Sequence, residues 1–142
     1  MNLSPEMRMK VNASFAAQSM METIGAEIVN LEAGHVSIAA PILPGFQQQQ
    51  GFGHAALTFA LGDTAAGYAA LTVMPEGSEV LTAEIKVNLL APAQGFRLRA
   101  EGRVIKPGRR LVIVQSDVYA ETEEADRHIA LLQGTMVPVT PK

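Results

Sequence analysis

The spacing of apolar residues changes several times along the chain. Over residues 8–21 (RMKVNASFAAQSMM), Val11, Phe15, Ala16 and Ser19 recur at i, i+4, i+5 and i+8, the stripe of an amphipathic helix. An N-terminal helix is therefore predicted within about residues 5–22. In GAEIVNLEAG the period falls to two, with Ala26, Ile28 and Asn30 alternating with Glu27 and Val29. Ala33-Gly34 is a turn pair, and HVSIAAPI follows with Val36, Ile38 and Ala40 on one face. These two stretches predict a hairpin. Pro41 and Pro44-Gly45 end it, and PGFQQQQGFG reads as a polar loop bounded by glycines.

From Gly53 to Met74 the chain is apolar almost without interruption: GHAALTFALGDTAAGYAALTVM. A long helix is predicted from about His54 to Met74, stopped by Pro75-Glu76-Gly77. Its single charge is Asp63. Alternation then returns in VLTAEIKVNLLAP, with Leu81, Ala83, Ile85, Val87 and Leu89 expected on one face. Thr82, Glu84, Lys86 and Asn88 fall on the other. FRLRAEGRVI sets Phe96, Leu98 and Ala100 against Arg97, Arg99 and Glu101. RLVIVQSDVYAE and HIALLQGTMVPV complete the strands, with KPGR and the polar ETEEADR as exposed turns.

Short turns join antiparallel neighbours. The expected class is therefore α+β, a long central helix wrapped by a six-stranded antiparallel sheet. One domain over residues 1–142 is expected, with the core at about residues 25–138. A helix apolar nearly all round must be covered nearly all round. A six-stranded sheet wraps only part of it, so a second copy of the chain is the simplest cover.

Composition narrows the function classes. The formal net charge is −3 and no long basic run occurs, which argues against nucleic acid. Cysteine is absent, so disulfides and thiolate metal sites are excluded, and a reducing cytoplasm is compatible. His35, His54 and His128 lack metal-ligand spacing, and neither a metal nor a cofactor is expected. The apolar helix is about long enough to span a bilayer, but Asp63 would then sit at costly depth, so no membrane is expected.

Four blocks in order carry a family resemblance. Gln48 lies in a polar stretch before Gly51-Phe52-Gly53-His54-Ala55-Ala56, and Asp63 follows His54 by nine positions. Thr82-Ala83-Glu84-Ile85-Lys86-Val87-Asn88-Leu89-Leu90-Ala91-Pro92-Ala93 is the second block. Gly108-Arg109-Arg110-Leu111 and Gly134-Thr135-Met136 are the third and fourth. Together the chain resembles the PaaI-like acyl-CoA thioesterases of the hotdog-fold superfamily. Two positions depart from the pattern: Ala56 stands where glycine is common, and Gln48 where asparagine is.

The resemblance implies hydrolysis of an aryl- or medium-chain acyl-CoA by a homodimer, with a dimer of dimers as the next assembly. It places Asp63 as general base or nucleophile, with Gln48 orienting the water or the carbonyl. A helix start offers free N–H groups and a positive dipole end, and the Ala55 N–H is the expected oxyanion donor. Gly53 allows close approach, His54 positions, and Ala56 narrows the acyl pocket. Thr82 would stand near the water, and Arg109 and Arg110 would meet CoA phosphates. Blander readings stand beside these: Asp63 as a structural carboxylate, His54 as a cap, the arginines as an ordinary basic turn. Two other functions compete: a non-catalytic acyl-CoA-binding hotdog module and a hotdog dehydratase, the latter disfavoured by the His-to-Asp spacing. One geometric point stands apart from the family. Nine residues along a helix are about 180° and roughly 13 Å. One helix cannot aim both His54 and Asp63 at one thioester, whereas two antiparallel helices can.

Overall fold

Ser4 opens the first helix. Its Oγ accepts from the Met7 N–H at 3.1 Å, and Pro5 takes the first helical position. Helix α1 runs Pro5–Ala16, and a short α2, Ser19–Thr23, follows. The single helix expected over residues 8–21 is thus two. Gln18 is extended at the break (φ −82°, ψ 99°), and its amide donates to the Tyr68 hydroxyl at 2.7 Å. The computed structural model describes residues 2–141.

Strands β1 (Glu27–Glu32) and β2 (His35–Pro41) form the expected hairpin. Helix α3 covers Ala55–Leu71, with His54 as its N-cap and Thr72 as its C-cap. Strands β3 (Glu79–Leu89), β4 (Arg97–Lys106), β5 (Val112–Glu121) and β6 (Asp126–Val139) follow. All pairings are antiparallel, and the spatial order is β1-β2-β4-β5-β6-β3. The six-stranded sheet with a helix packed against it is the α+β arrangement the sequence predicts.

The helix lies close to the sheet because small residues let it. A Cβ at Gly102 of β4 would stand 2.3 Å from the Ala65 carbonyl carbon. Ser116 of β5 donates to the Gly62 carbonyl at 2.6 Å, tying the two layers. Leu61, Ala65, Ala66, Ala69 and Leu71 are fully or almost fully buried against Leu98, Ala100 and Leu132 of the sheet. The first half of α3 has an uncovered stripe. Ala55 and Ala56 are exposed, and Phe59, Ala60, Asp63 and Thr64 only half-buried. Among the described residues no helix is long and apolar enough to cross a membrane.

The expected alternation of β3 needs correction. A bulge between Thr82 and Glu84 inserts Ala83 as an extra residue. It flips the faces, so Val80 and Thr82 share the helix side with Ile85 and Val87. Leu81 points away and stays exposed, whereas Leu89 keeps the face of Ile85 and Val87 but is exposed at the strand's end. Phe96 is also exposed, because β4 begins one residue later, at Arg97. The turn expected over ETEEADR shrinks to residues 122–125, since Glu121 and Asp126 are strand residues paired with each other.

Glu121 is held there by charge. Arg97 forks onto its two carboxylate oxygens, and Arg99 joins Glu121, Glu101 and Asp126. Ser37 and His35 also bond Glu101. The bonds from Arg97 hold the Glu121 carboxyl below the ordinary glutamate value, against the opposing effect of burial. Burial pushes Glu101 up, but the hydrogen bonds from Ser37, His35 and Arg99 outweigh it and leave it lowered. Both groups therefore keep their charge to lower pH in the folded chain than in the unfolded one. Their stabilisation is complete above about pH 4.5 and is lost as pH falls through the lower folded values. Urea denaturation across this range should show stability falling with acid. Glu121→Gln should be less stable at pH 7 and lose less on acidification, because one of the two linked protons is gone. An unchanged acid slope in that variant would contradict the linkage.

Candidate active site

The loop before α3 is built by its own polar groups. The Gln48 side-chain oxygen accepts from the Gln50 and Phe52 N–H groups at 2.6 and 3.2 Å. The Gln48 NH2 in turn donates to the Gln50 side-chain oxygen at 3.4 Å. Gly51 takes φ +84°, which only glycine adopts without strain. Gly53 donates to the Ala93 carbonyl at 2.8 Å, and a Cβ on it would stand 3.0 Å from the Ala93 Cβ. The loop is thereby pinned to the segment that follows β3.

His54 then caps the helix. Its backbone is extended (φ −64°, ψ 145°), and its Nδ1 accepts from the Ala56 N–H at 2.9 Å. A neutral His54 accepting at Nδ1 carries its proton on Nε2. The His54 carbonyl accepts from Leu57 and Thr58. Of the four N–H groups at the helix start, three thus have partners. The Ala55 N–H has none among the described residues. It sits on the wall of an open cleft of about 500 Å³ lined by Gln48, His54, Ala55, Leu89 and Pro92. Both the free donor and the dipole end face an anionic oxygen placed there.

Asp63 lies elsewhere. It is half-buried on α3, and the Thr82 hydroxyl donates to its Oδ1 at 2.7 Å. The β3 bulge makes this contact, because without it Thr82 would share the face of Glu84. Thr82 Oγ1 also lies 3.2 Å from the Met136 sulfur. Asp63 Oδ2 has no partner among the described residues. Asp63 and Thr82 open into a separate cavity of about 200 Å³, shared with Ser14, Gln18, Gly67 and Tyr68.

The expected residues therefore fall into two groups. Gln48, Gly53, His54 and Ala55 gather at one cleft, and Asp63 and Thr82 at another. Ala56 lines neither. It faces a third, mainly apolar hollow beside Met20, Ile24 and Phe46, so its methyl leaves both clefts unaltered. Arg109 and Arg110 are exposed in the β4–β5 turn, without a side-chain partner among the described residues. Register places that turn at the Thr82 end of the sheet: Thr82 pairs with Met136, and Met136 with Val112. Sequence reasoning missed Ser14, Gln18, Gly67 and Tyr68 around Asp63. Only Gly67 left a signal, being one helical turn after Asp63.

Comparison with known proteins adds four findings. Residues 50–125 match the family model described as the thioesterase superfamily. A thioesterase family protein from Silicibacter pomeroyi superposes with a TM-score of 0.92 at 39% identity, covering 95% of this chain and 99% of that one. The 1,4-dihydroxy-2-naphthoyl-CoA hydrolase of Listeria monocytogenes is 28% identical over 105 residues, 74% of this chain and 85% of that one. The E. coli PaaI protein of the phenylacetic acid degradation operon shares the fold, with a TM-score of 0.86 at 17% identity over 99% of both chains.

Proposed function

The chain belongs to the thioesterase superfamily, with a PaaI-like hotdog fold, and from that premise we propose that it hydrolyses an aryl- or medium-chain acyl-CoA at a site shared by two subunits. Thioester hydrolysis is the family chemistry. The reading beyond it rests on one observation: the two clefts sit at opposite ends of the edge strand β3. Val80 and Thr82, near its start, line the Asp63 cavity, while Leu89 to Pro92, at its finish, line the His54 cleft. β3 pairs only with β6, so its outer edge is open for another strand. Antiparallel pairing of two copies about a two-fold near Ile85 sets the start of one β3 against the finish of the other. Each Asp63 then meets its partner's helix start. The uncovered stripe on α3 supports the same contact, as do the exposed Leu81 and Leu89.

In the proposed site the Ala55 N–H holds the thioester oxygen, and negative charge developing there meets the dipole end of α3. Asp63, oriented by Thr82, takes a proton from water, whose oxygen attacks the carbonyl carbon, or attacks that carbon itself to form an anhydride. The C–S bond breaks and the CoA thiolate leaves, to be protonated by solvent; on the anhydride route water then opens the anhydride, releasing the free acid and restoring the Asp63 carboxylate. His54 positions the helix start, and Gln48, which lines the same cleft, orients the water or the carbonyl. Arg109 and Arg110, at the Thr82 end, meet the phosphates of CoA.

Release of free CoA from aryl and aliphatic acyl-CoA esters tests this reading. Turnover of at least one ring or six-to-ten-carbon acyl ester is expected. Binding of acyl-CoA without turnover would favour the non-catalytic binding module instead.

A further inference from the structure

The Gly134-Thr135-Met136 segment of β6 lies opposite the β3 bulge. Met136 pairs with Thr82, before the extra residue Ala83, and Thr135 pairs with Glu84, after it. Gly134 pairs with Ile85, and a Cβ on it would stand 2.8 Å from the Ile85 Cα, so a glycine lets the two strands close there. On the outer face the Thr135 hydroxyl donates to Glu84 Oε1 at 2.7 Å. On the helix face the Met136 sulfur lies 3.2 Å from Thr82 Oγ1. The segment therefore packs on both faces of the bulge that brings Thr82 to Asp63.

Thr82 has one hydroxyl hydrogen and two acceptors within reach, Asp63 Oδ1 at 2.7 Å and the Met136 sulfur. A hydrogen bond to an ionised acceptor is roughly twice as strong as one to a neutral acceptor. The charged carboxylate therefore holds the hydroxyl, and the thioether, a weak acceptor, does not compete. The reaction changes that balance. Asp63 loses its charge when it takes a proton from the water whose oxygen bonds the carbonyl carbon. It loses it equally when its own oxygen bonds that carbon and the CoA thiolate leaves. The proton or the new bond goes to Oδ2, which has no partner among the described residues, and Oδ1 is left as a neutral acceptor. The sulfur then competes for the hydroxyl. Met136 is fully buried, and Thr82 is the one donor to its sulfur among the described residues.

We propose that Met136 is a positioning residue for the hydrolysis, its thioether serving as a second acceptor that shares the Thr82 hydroxyl once Asp63 is neutral and so lowers the cost of neutralising Asp63 in the transition state. Without the sulfur, the Thr82 hydrogen bond would favour the charged ground state alone. The proposal rests on the assignment of Asp63 as base or nucleophile, and it holds on either route. A methionine that only filled the core would be replaceable by leucine, which has a similar volume and no acceptor.

Met136→Leu, Thr82→Val and the double variant, assayed on the aryl or aliphatic acyl-CoA ester that the wild type turns over fastest, test it. Met136→Leu should melt within about 5 °C of the wild type, because the two side chains fill similar space. Its kcat should fall about three- to tenfold, with KM unchanged within about twofold. Thr82→Val lacks the hydroxyl, so adding Met136→Leu to it should lower kcat no further. Wild-type kcat in Met136→Leu, or the same fold loss in both backgrounds, would overturn the proposal. NMR of the methionine methyl groups reads the sulfur without replacing it. The Met136 methyl resonance should move in Asp63→Asn, where the acceptor is neutral from the start. It should not move when Asp63→Asn is added to Thr82→Val. A resonance that Asp63→Asn leaves in place would overturn the second-acceptor role. Full activity in Asp63→Asn sinks the assignment of Asp63 and this proposal with it, whereas loss there beside wild-type kcat in Met136→Leu sinks only the role of Met136.

Discussion

Asp63→Asn should fold and assemble as the wild type does and lose about 10²- to 10⁴-fold in kcat. The substitution keeps the shape and can still accept the Thr82 hydrogen bond through its amide oxygen. It removes the only carboxylate on α3, the group assigned as base or nucleophile. KM should change little, since the carboxylate acts on the reacting atoms and not on the CoA body. Thr82→Ala should fall between the two, because it leaves Asp63 charged but no longer aimed. Single-turnover hydrolysis in ¹⁸O-water separates the two chemical roles, with label in the Asp63 carboxylate marking the anhydride route. Wild-type kcat in Asp63→Asn would remove this carboxylate from the chemistry and return it to a structural role.

Much of this was legible in the chain. Strand alternation, the turns and the stop at Pro75 located the elements. The nine-residue spacing of His54 and Asp63 already excluded a site within one helix. What the sequence hid was of two kinds. A bulge changes no residue type, so the flip at Ala83 that aims Thr82 at Asp63 left no trace in the alternating pattern. Long-range polar contacts are equally silent. Gln18 looks like the middle of a helix, yet it stands extended at the break with its side chain on Tyr68, fifty residues away. Likewise, Glu121, ion-paired to Arg97 and Arg99, extends a strand into what reads as an acidic loop. The resemblance places the Ala56 methyl at the acyl pocket, but consecutive helical residues face about 100° apart, and of the two alanines Ala55 lines the cleft while Ala56 lines the hollow beside Met20.

Two inactive variants mixed together should regain activity, and this outcome separates a shared site from a self-contained one. The first variant is Asp63→Asn. The second is Ala55→Pro, which removes one hydrogen-bond donor with little cost to the helix. Proline is favoured at the first helical position, and His54 already has the extended backbone that a following proline requires. The lost Ala55 N–H bonded nothing within the described residues, so folding loses no bond with it. Alone, Ala55→Pro should lose about 10²- to 10³-fold in kcat, the cost of an oxyanion donor. After the two are unfolded and refolded together in equal amounts, half of the dimers are mixed. In each mixed dimer one site pairs two defective halves and the other pairs Asp63 with an intact Ala55. About a quarter of all sites, and so about a quarter of wild-type activity, should return. If each subunit carried a complete site of its own, every site would retain one defect and no activity would return.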